Sequence, residues 1–164
     1  MLDGFIYPAR LFDERLNVVG WNESANLIFG DYMNRTERER NGPWFHFMHP
    51  SSRLLHVDWE RDARRCLASL HVRYDQYPDD RWLADLIAEL QQCSPEFRAW
   101  WPEHEIVLDC SSCYEINHLL FGRLTLHPTV FPILEQPSLQ MVVYTPLDTD
   151  TAAQLQMLSR EQQS

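Results

Sequence analysis

The chain has 164 residues with 14 basic and 24 acidic side chains, which gives a formal charge of −10 at pH 7. Its basic residues are all arginines, so catalytic lysines and the lysine of phosphate-binding glycine loops are excluded. The negative charge argues against nucleic-acid binding by this chain, because a phosphate backbone requires a basic surface. The length and the 45% content of hydrophobic residues predict a single folded domain over residues 1–164.

Targeting signals are not recognisable in the sequence. The first residues lack the basic and then apolar pattern of a signal peptide, and no apolar run reaches the roughly 18 residues of a membrane helix. The four cysteines are therefore expected to be thiols. These features predict a cytoplasmic protein without membrane contact.

The chain is expected to begin with a β-hairpin, in which strands at 10–12 and 17–21 flank a polar turn. Asn22 is predicted to cap a short helix that Gly30 ends. The segment 35–41 alternates in charge, which predicts an exposed loop.

Helices are predicted for the middle of the chain. Apolar residues recur at steps of three and four from 51 to 77, which predicts one long amphipathic helix. Asp79 or Asp80 is expected to cap a second helix, and Ser94 a short third helix that ends at Pro102.

After residue 102 the apolar period changes to two, and strands are predicted at 105–108, 120–126 and 139–145. Prolines at 128, 132 and 137 are expected to break the connection before the last strand, and a helix at 151–159 closes the chain. A hairpin, helices and then strands, without regular βαβ alternation, predict an α+β fold with an antiparallel sheet.

Several short motifs follow one another in an order typical of one family. In chain order they are Trp21-Asn22, Arg40-Asn41, Phe47-Met48-His49-Pro50, Asp58-Trp59-Glu60, Ser94-Pro95-Glu96-Phe97 with Trp100, His104, His118 with Gly122, and Val142-Val143-Tyr144-Thr145. With these motifs the chain resembles the ligand-binding domain of MmyB-like transcription regulators, a PAS-like module.

The resemblance implies a PAS-like antiparallel sheet with a helical layer packed on one face. It also implies that the domain senses a small molecule, with a fatty acid as a known type of ligand and no cofactor. Members usually carry an N-terminal helix-turn-helix domain, which is expected to be absent from residues 1–164, so DNA contact is expected only through such an attached domain. Whether the chain forms a homodimer stays open.

A sensor of apolar molecules needs a cavity with apolar walls and a few polar groups that orient the ligand. The candidate ligand-binding residues are Trp21, Asn22, Phe29, Arg40, Asn41, Trp44, Phe45, Phe47, Trp59, Phe97, Trp100 and His118. Arg40 with Asn41 is the candidate for holding a carboxylate. The alternative is that the aromatic residues fill a solid core and that Arg40 lies exposed in a charged loop.

Metal binding and catalysis find little support in the sequence. His104, Cys110, Cys113 and His118 include the ligand types that zinc prefers, but their spacing matches no standard zinc finger. No HExxH or GxSxG motif occurs, so we predict neither a metal site nor an enzyme.

Two charged groups of the predicted helices are expected to be structural. Asp58 is expected to partner an arginine or a backbone amide, a view that rests on the family resemblance alone. The basic patch of Arg61, Arg64 and Arg65 is expected to be a solvated face in preference to a phosphate site.

The leading hypothesis is the ligand-sensing domain of a bacterial transcription regulator, which binds an apolar or amphipathic molecule such as a fatty acid. The alternative is a ligand-free dimerisation module with a solid core, in which aromatics such as Trp82 or Trp101 form a self-complementary patch. A third hypothesis is a small hydrolase or zinc protein, which predicts bound metal.

Overall fold

The structure, a computed structural model, describes residues 2–4, 6–103 and 113–163. The strand predicted at 105–108 lies outside these residues. None of the helices in the described ranges is long and apolar enough to cross a membrane.

Within the described residues, five strands form one antiparallel sheet in the order β2-β1-β5-β4-β3. The strands are β1 (Ala9–Phe12), β2 (Val18–Trp21), β3 (Tyr114–His118), β4 (Gly122–Pro132) and β5 (Gln140–Pro146). The predicted N-terminal hairpin is confirmed, and pairing of β1 with β5 places it in the same sheet as the late strands.

Seven α-helices accompany the sheet in the described part of the chain. They are α1 (Glu23–Phe29), α2 (Gly42–Met48), α3 (Pro50–Leu55), α4 (Trp59–Gln76), α5 (Arg81–Cys93), α6 (Pro95–Trp100) and α7 (Thr149–Gln163). The predicted caps are confirmed, because side chains of Asn22, Asp80 and Ser94 accept hydrogen bonds from the first-turn amides of α1, α5 and α6.

The prediction of one helix from 51 to 77 is wrong. α3 ends at Leu55, and His56 is extended and forms an isolated bridge with Ile116 of β3. Asp58 then begins α4, since its side chain accepts a hydrogen bond from the amide of Arg61. This contact confirms the expected structural role of Asp58. The apolar repeat of three and four residues continues through His56, where backbone pairing with β3 interrupts the helix.

β4 is longer than predicted, and the expected break at Pro128 is wrong. Tyr144, opposite Pro128 in β5, donates its amide hydrogen bond to Pro8 on its other side. The pair of Pro128 and Tyr144 therefore has no hydrogen bond that the missing amide hydrogen of Pro128 would have to supply. The strand β3 and the helix α2 were not predicted.

The exposed loop predicted at 35–41 is also wrong in part. Arg38–Arg40 forms a 3-10 helix, and Asn41 is fully buried.

Two apolar cores hold the layers together. The first joins the sheet to α1 and α7 and includes Ile28, Ile116, Leu124 and Leu155. The second lies among α2, α4, α5 and α6 and consists of Phe47, Ala63, Leu67, Leu70, Leu83, Leu86, Ile87, Leu90 and Phe97.

By strand register and alternation, Leu124, Leu126, Ile116 and Tyr144 share one sheet face, and all are buried against helices. The predicted α+β fold, an antiparallel sheet with a helical layer on one face, is confirmed.

Asn41 connects the hairpin to the helical layer. Its side-chain oxygen accepts from the amide of Trp44, which caps α2, and its Nδ2 donates to the Arg15 carbonyl at 2.9 Å and to Asn17 Oδ1 at 3.0 Å. A buried amide with three partners fixes where α2 begins relative to β1 and β2.

We expect Asn41→Ala to lower the free energy of unfolding by about 3 kcal/mol, because it removes a helix cap and leaves buried polar groups unpaired. Asn34, an exposed asparagine, supplies the matched control Asn34→Ala, for which we expect a change below about 1 kcal/mol. Urea denaturation measures both. Equal losses in the two variants would contradict the role assigned to Asn41.

Candidate functional site

A cavity of about 270 Å³ lies between the sheet and the helices. This is about nine times the volume that a water molecule occupies in the liquid. Its sheet wall comprises Arg10, Phe12, Tyr114, Val130, Gln140, Val142 and Tyr144, which alternation along the strands directs to the same face. Its helical wall includes residues before and within α2 and residues of α4, among them Phe45, His46, Asp62 and Cys66.

Arg10 places a guanidinium group in the wall of this cavity. It lies on β1, between β2 and β5, and its side chain leaves the sheet towards the helices. Nη1 donates to the hydroxyl of Tyr32 at 2.9 Å, and Nε donates to that of Tyr144 at 3.1 Å. The guanidinium also lies 4.0 Å from the centre of the Phe29 ring. No carboxylate of the described residues forms an ion pair with it.

Arg10 stays cationic in this setting. Burial by itself lowers its pKa, but the phenol groups of Tyr144, Tyr32 and Tyr114 outweigh burial and raise the pKa above its ordinary value. Neutral phenols solvate the guanidinium through hydrogen bonds without cancelling its charge. The cavity wall therefore carries the positive charge of Arg10, which no described carboxylate pairs with, although Glu39 and Asp62 also line the cavity.

Arg35 adds a second guanidinium to the same wall. It lies 4.1 Å from the centre of the Phe45 ring and 4.5 Å from that of Tyr32, and it donates to the carbonyl of Phe29 at 2.6 Å. Burial lowers its pKa, and Arg10 adds to this effect as a like charge. Two neighbouring cations favour an anion in this part of the cavity, and the carboxylate of Glu39, which acts on Arg35, opposes this effect.

Four of the residues predicted for the site line the cavity: Phe29, Arg40, Asn41 and Phe45. The polar groups of Arg40 and Asn41 already have partners in the chain. Arg40 Nε donates to the Tyr32 carbonyl at 3.0 Å and its guanidinium lies over Trp21, and the contacts of Asn41 hold the hairpin. Arg10 also has partners, the hydroxyls of Tyr32 and Tyr144, but it lies on the sheet wall of the cavity, and sequence reasoning missed it. The available signal was an arginine at an inward position of a short apolar strand.

The other predicted residues lie elsewhere in the fold. Phe47, Trp59, Phe97 and Trp100 form an aromatic cluster of the second core, with the Phe47 and Phe97 ring centres 5.1 Å apart. Trp44 donates to Glu89 at 2.9 Å.

Trp21, Asn22 and His118 have structural contacts of their own. Trp21 packs on Tyr32, and Asn22 caps α1 and accepts from the amide of Ala9. His118 donates to the carbonyl of Leu27 at 2.8 Å and thereby ties the β3–β4 turn to α1.

An Asp–His pair and a second histidine form another polar part of the wall. His56 Nδ1 lies 2.9 Å from Asp62 Oδ2, and both side chains are almost fully buried. Arg61 and Arg65 approach the other carboxylate oxygen of Asp62 at 3.6 and 3.7 Å, which balances its charge. The ring of His46 lies 4.4 Å from that of His56.

A metal site is not found among the residues that the structure describes, since no three histidine, cysteine or acidic side chains are placed to hold an ion. His104 and Cys110 of the zinc-like spacing lie outside those residues. In the basic patch, Arg61 and Arg65 donate to the carbonyl of Cys113, and Arg64 pairs with Glu60 and Glu103. These arginines therefore serve contacts within the chain.

His46 should make folding sensitive to acid. Burial, with a smaller contribution from His56, lowers its pKa to about 3 from an ordinary value of 6.5. Between these two values the unfolded chain binds more protons than the folded chain, so stability falls as the pH decreases from about 6.5 towards 3. We expect the wild type to lose about 2 kcal/mol more than His46→Phe between pH 7 and pH 5, as measured by urea denaturation. Identical pH dependence in the two proteins would contradict the buried neutral state of His46.

Comparisons with known proteins identify the family of the chain. A search of curated proteins finds no match. The family model of the MmyB-like transcription regulator ligand binding domain matches residues 1–158 of the 164-residue chain. This family comprises ligand-binding domains of regulators and is not a family of enzymes. The chain therefore belongs to the MmyB-like transcription regulator ligand-binding domains.

Proposed function

We propose that this domain senses an amphipathic carboxylic acid of the fatty-acid type, which lies in the cavity with its carboxylate at Arg10. The observation that carries the proposal is the charge of Arg10, which faces the cavity without an anionic partner among the described residues. A carboxylate would supply charge-assisted hydrogen bonds to that guanidinium.

The remaining walls suit the hydrocarbon part of such a ligand. Phe12, Phe29, Phe45, Leu55 and Val142 provide apolar surface around the cavity. Binding sites for small molecules combine such walls with a few polar groups that fix the orientation. An acid with a medium-length chain fits both the charge and the apolar surface.

The contacts of Arg10 also suggest how binding is transmitted. Tyr32 follows α1 and Tyr144 lies in β5, so the guanidinium joins two separate parts of the fold. A carboxylate that hydrogen-bonds to Arg10 competes with these phenols and changes the balance of packing between the helices and the sheet. In a regulator, an attached DNA-binding domain would respond to that shift in population.

The alternative of a ligand-free dimerisation module requires a solid interior, and the cavity argues against it. The aromatic residues suggested for its patch already have neighbours. Trp82 lies under the guanidinium groups of Arg15 and Arg38, and Trp101 stacks on His71 with the ring centres 3.6 Å apart.

Decanoate and 1-decanol test the proposal, because they share the hydrocarbon chain and differ in charge. We expect the wild type to bind decanoate more tightly, with about a tenfold to hundredfold loss in Arg10→Gln, as measured by calorimetry. The affinity for 1-decanol should change by less than about threefold in the same variant. Arg10→Lys should retain part of the preference because it keeps the positive charge.

Arg81→Gln is the matched control, since Arg81 is exposed at the start of α5, and it should bind decanoate as the wild type does. Thermal melting of each variant shows whether it is folded. Failure of decanoate to bind the wild type, or equal binding by folded Arg10→Gln, would contradict the proposal.

A further inference from the structure

His56 has one ring nitrogen that its structural contacts leave unused. The residue is 6% exposed and lines the cavity. Its Nδ1 lies 2.9 Å from Asp62 Oδ2, whereas the described residues provide no hydrogen bond to Nε2. Nε2 is also not among the fully enclosed polar atoms without a partner in the described part of the chain. It therefore keeps some accessible surface, and His56 is a residue of the cavity wall.

Asp62 fixes how His56 presents this nitrogen. The carboxylate accepts the hydrogen of Nδ1, which orients the ring and leaves Nε2 as the free position. The rings of His46 and Tyr114 pack against the imidazole, with centre distances of 4.4 and 5.5 Å. The orientation is thus set before any ligand arrives.

Tyr114 adds a second polar group beside His56. Its hydroxyl has no hydrogen-bond partner among the described residues, and the residue lines the cavity. Tyr114 also packs on Tyr144, the hydroxyl of which receives a hydrogen bond from Arg10. The rings therefore form a continuous wall from Arg10 to His56.

We infer that His56 Nε2 forms a second polar subsite, which binds a hydroxyl group on the ligand chain. This inference rests on the proposed function and narrows the ligand class to hydroxylated fatty acids. A hydroxyl group can donate to a neutral imidazole and can accept from a protonated one, so it satisfies Nε2 in either state. A plain hydrocarbon chain in the same place would desolvate the nitrogen without giving it a partner.

The length of the wall fits a medium-chain ligand. From the Arg10 guanidinium to the Tyr144 ring is 5.0 Å, from Tyr144 to Tyr114 is 5.8 Å, and from Tyr114 to His56 is 5.5 Å. A ten-carbon acid can follow this wall. Isomers that carry the hydroxyl group on different carbons show which carbon of the chain lies beside Nε2.

The test compares decanoate with its 3-, 6-, 8- and 10-hydroxy derivatives by calorimetry. We expect the wild type to bind at least one hydroxy isomer about tenfold more tightly than decanoate. In His56→Asn the side-chain amide can still donate to Asp62, but no nitrogen takes the place of Nε2. The preference for the hydroxy isomer over decanoate should therefore fall below about twofold. Decanoate itself should bind this variant at least as tightly as it binds the wild type, because the nitrogen that its chain would desolvate is absent.

His127→Asn, at a histidine that does not line the cavity, is the matched control and should keep the preference. If His56→Asn does not fold, the subsite is tested instead by nitrogen NMR of the His56 imidazole in the wild type. The Nε2 resonance of His56 should then shift further with the preferred hydroxy acid than with decanoate.

The outcomes separate this inference from the proposed function. Arg10-dependent binding of decanoate without any preferred hydroxy isomer would overturn the subsite and leave the proposed function intact. A preference that survives in His56→Asn but is lost in His46→Phe would overturn the assignment to His56. If none of these acids binds the wild type, the proposed function fails and the inference fails with it.

Discussion

The partly buried charge of Arg10 is the constraint on which the rest of the site depends. A guanidinium group away from bulk water is costly unless hydrogen bonds and charge compensate for its lost hydration. Here the hydroxyls of Tyr32 and Tyr144 and the ring of Phe29 provide partial compensation, and no described carboxylate completes it. A ligand carboxylate would complete this compensation. The free-energy cost of placing Arg10 away from bulk water is thereby related directly to ligand binding.

The fold presents this charge to a cavity because its two cores lie apart. One core joins the sheet to α1 and α7, and the other lies among α2, α4, α5 and α6. Side chains from β1, β5, α2 and α4 meet between them around the cavity. Hydrogen bonds of wall residues, such as those of Asn41 and of the Asp62–His56 pair, fix parts of the walls of this space.

Local signals in the sequence predicted much of the fold. Asn22, Asp80 and Ser94 have the short polar side chains that cap helices, and they begin α1, α5 and α6 as expected. The break at His56 was missed because it depends on pairing with β3, a contact about sixty residues away along the chain. Pro128 was misread for a similar reason, since its tolerance depends on the partner that Tyr144 has in another strand.

The site was less predictable than the fold, because wall residues and core residues have the same composition. Phe29 and Phe45 line the cavity, whereas Phe47 and Phe97 pack in the second core. A crystal structure of the complex with decanoate tests the central claim most directly. The account predicts the carboxylate within hydrogen-bond distance of the Arg10 guanidinium and the chain along the aromatic wall. A carboxylate in solvent, with the chain outside the cavity or reversed within it, would contradict the account.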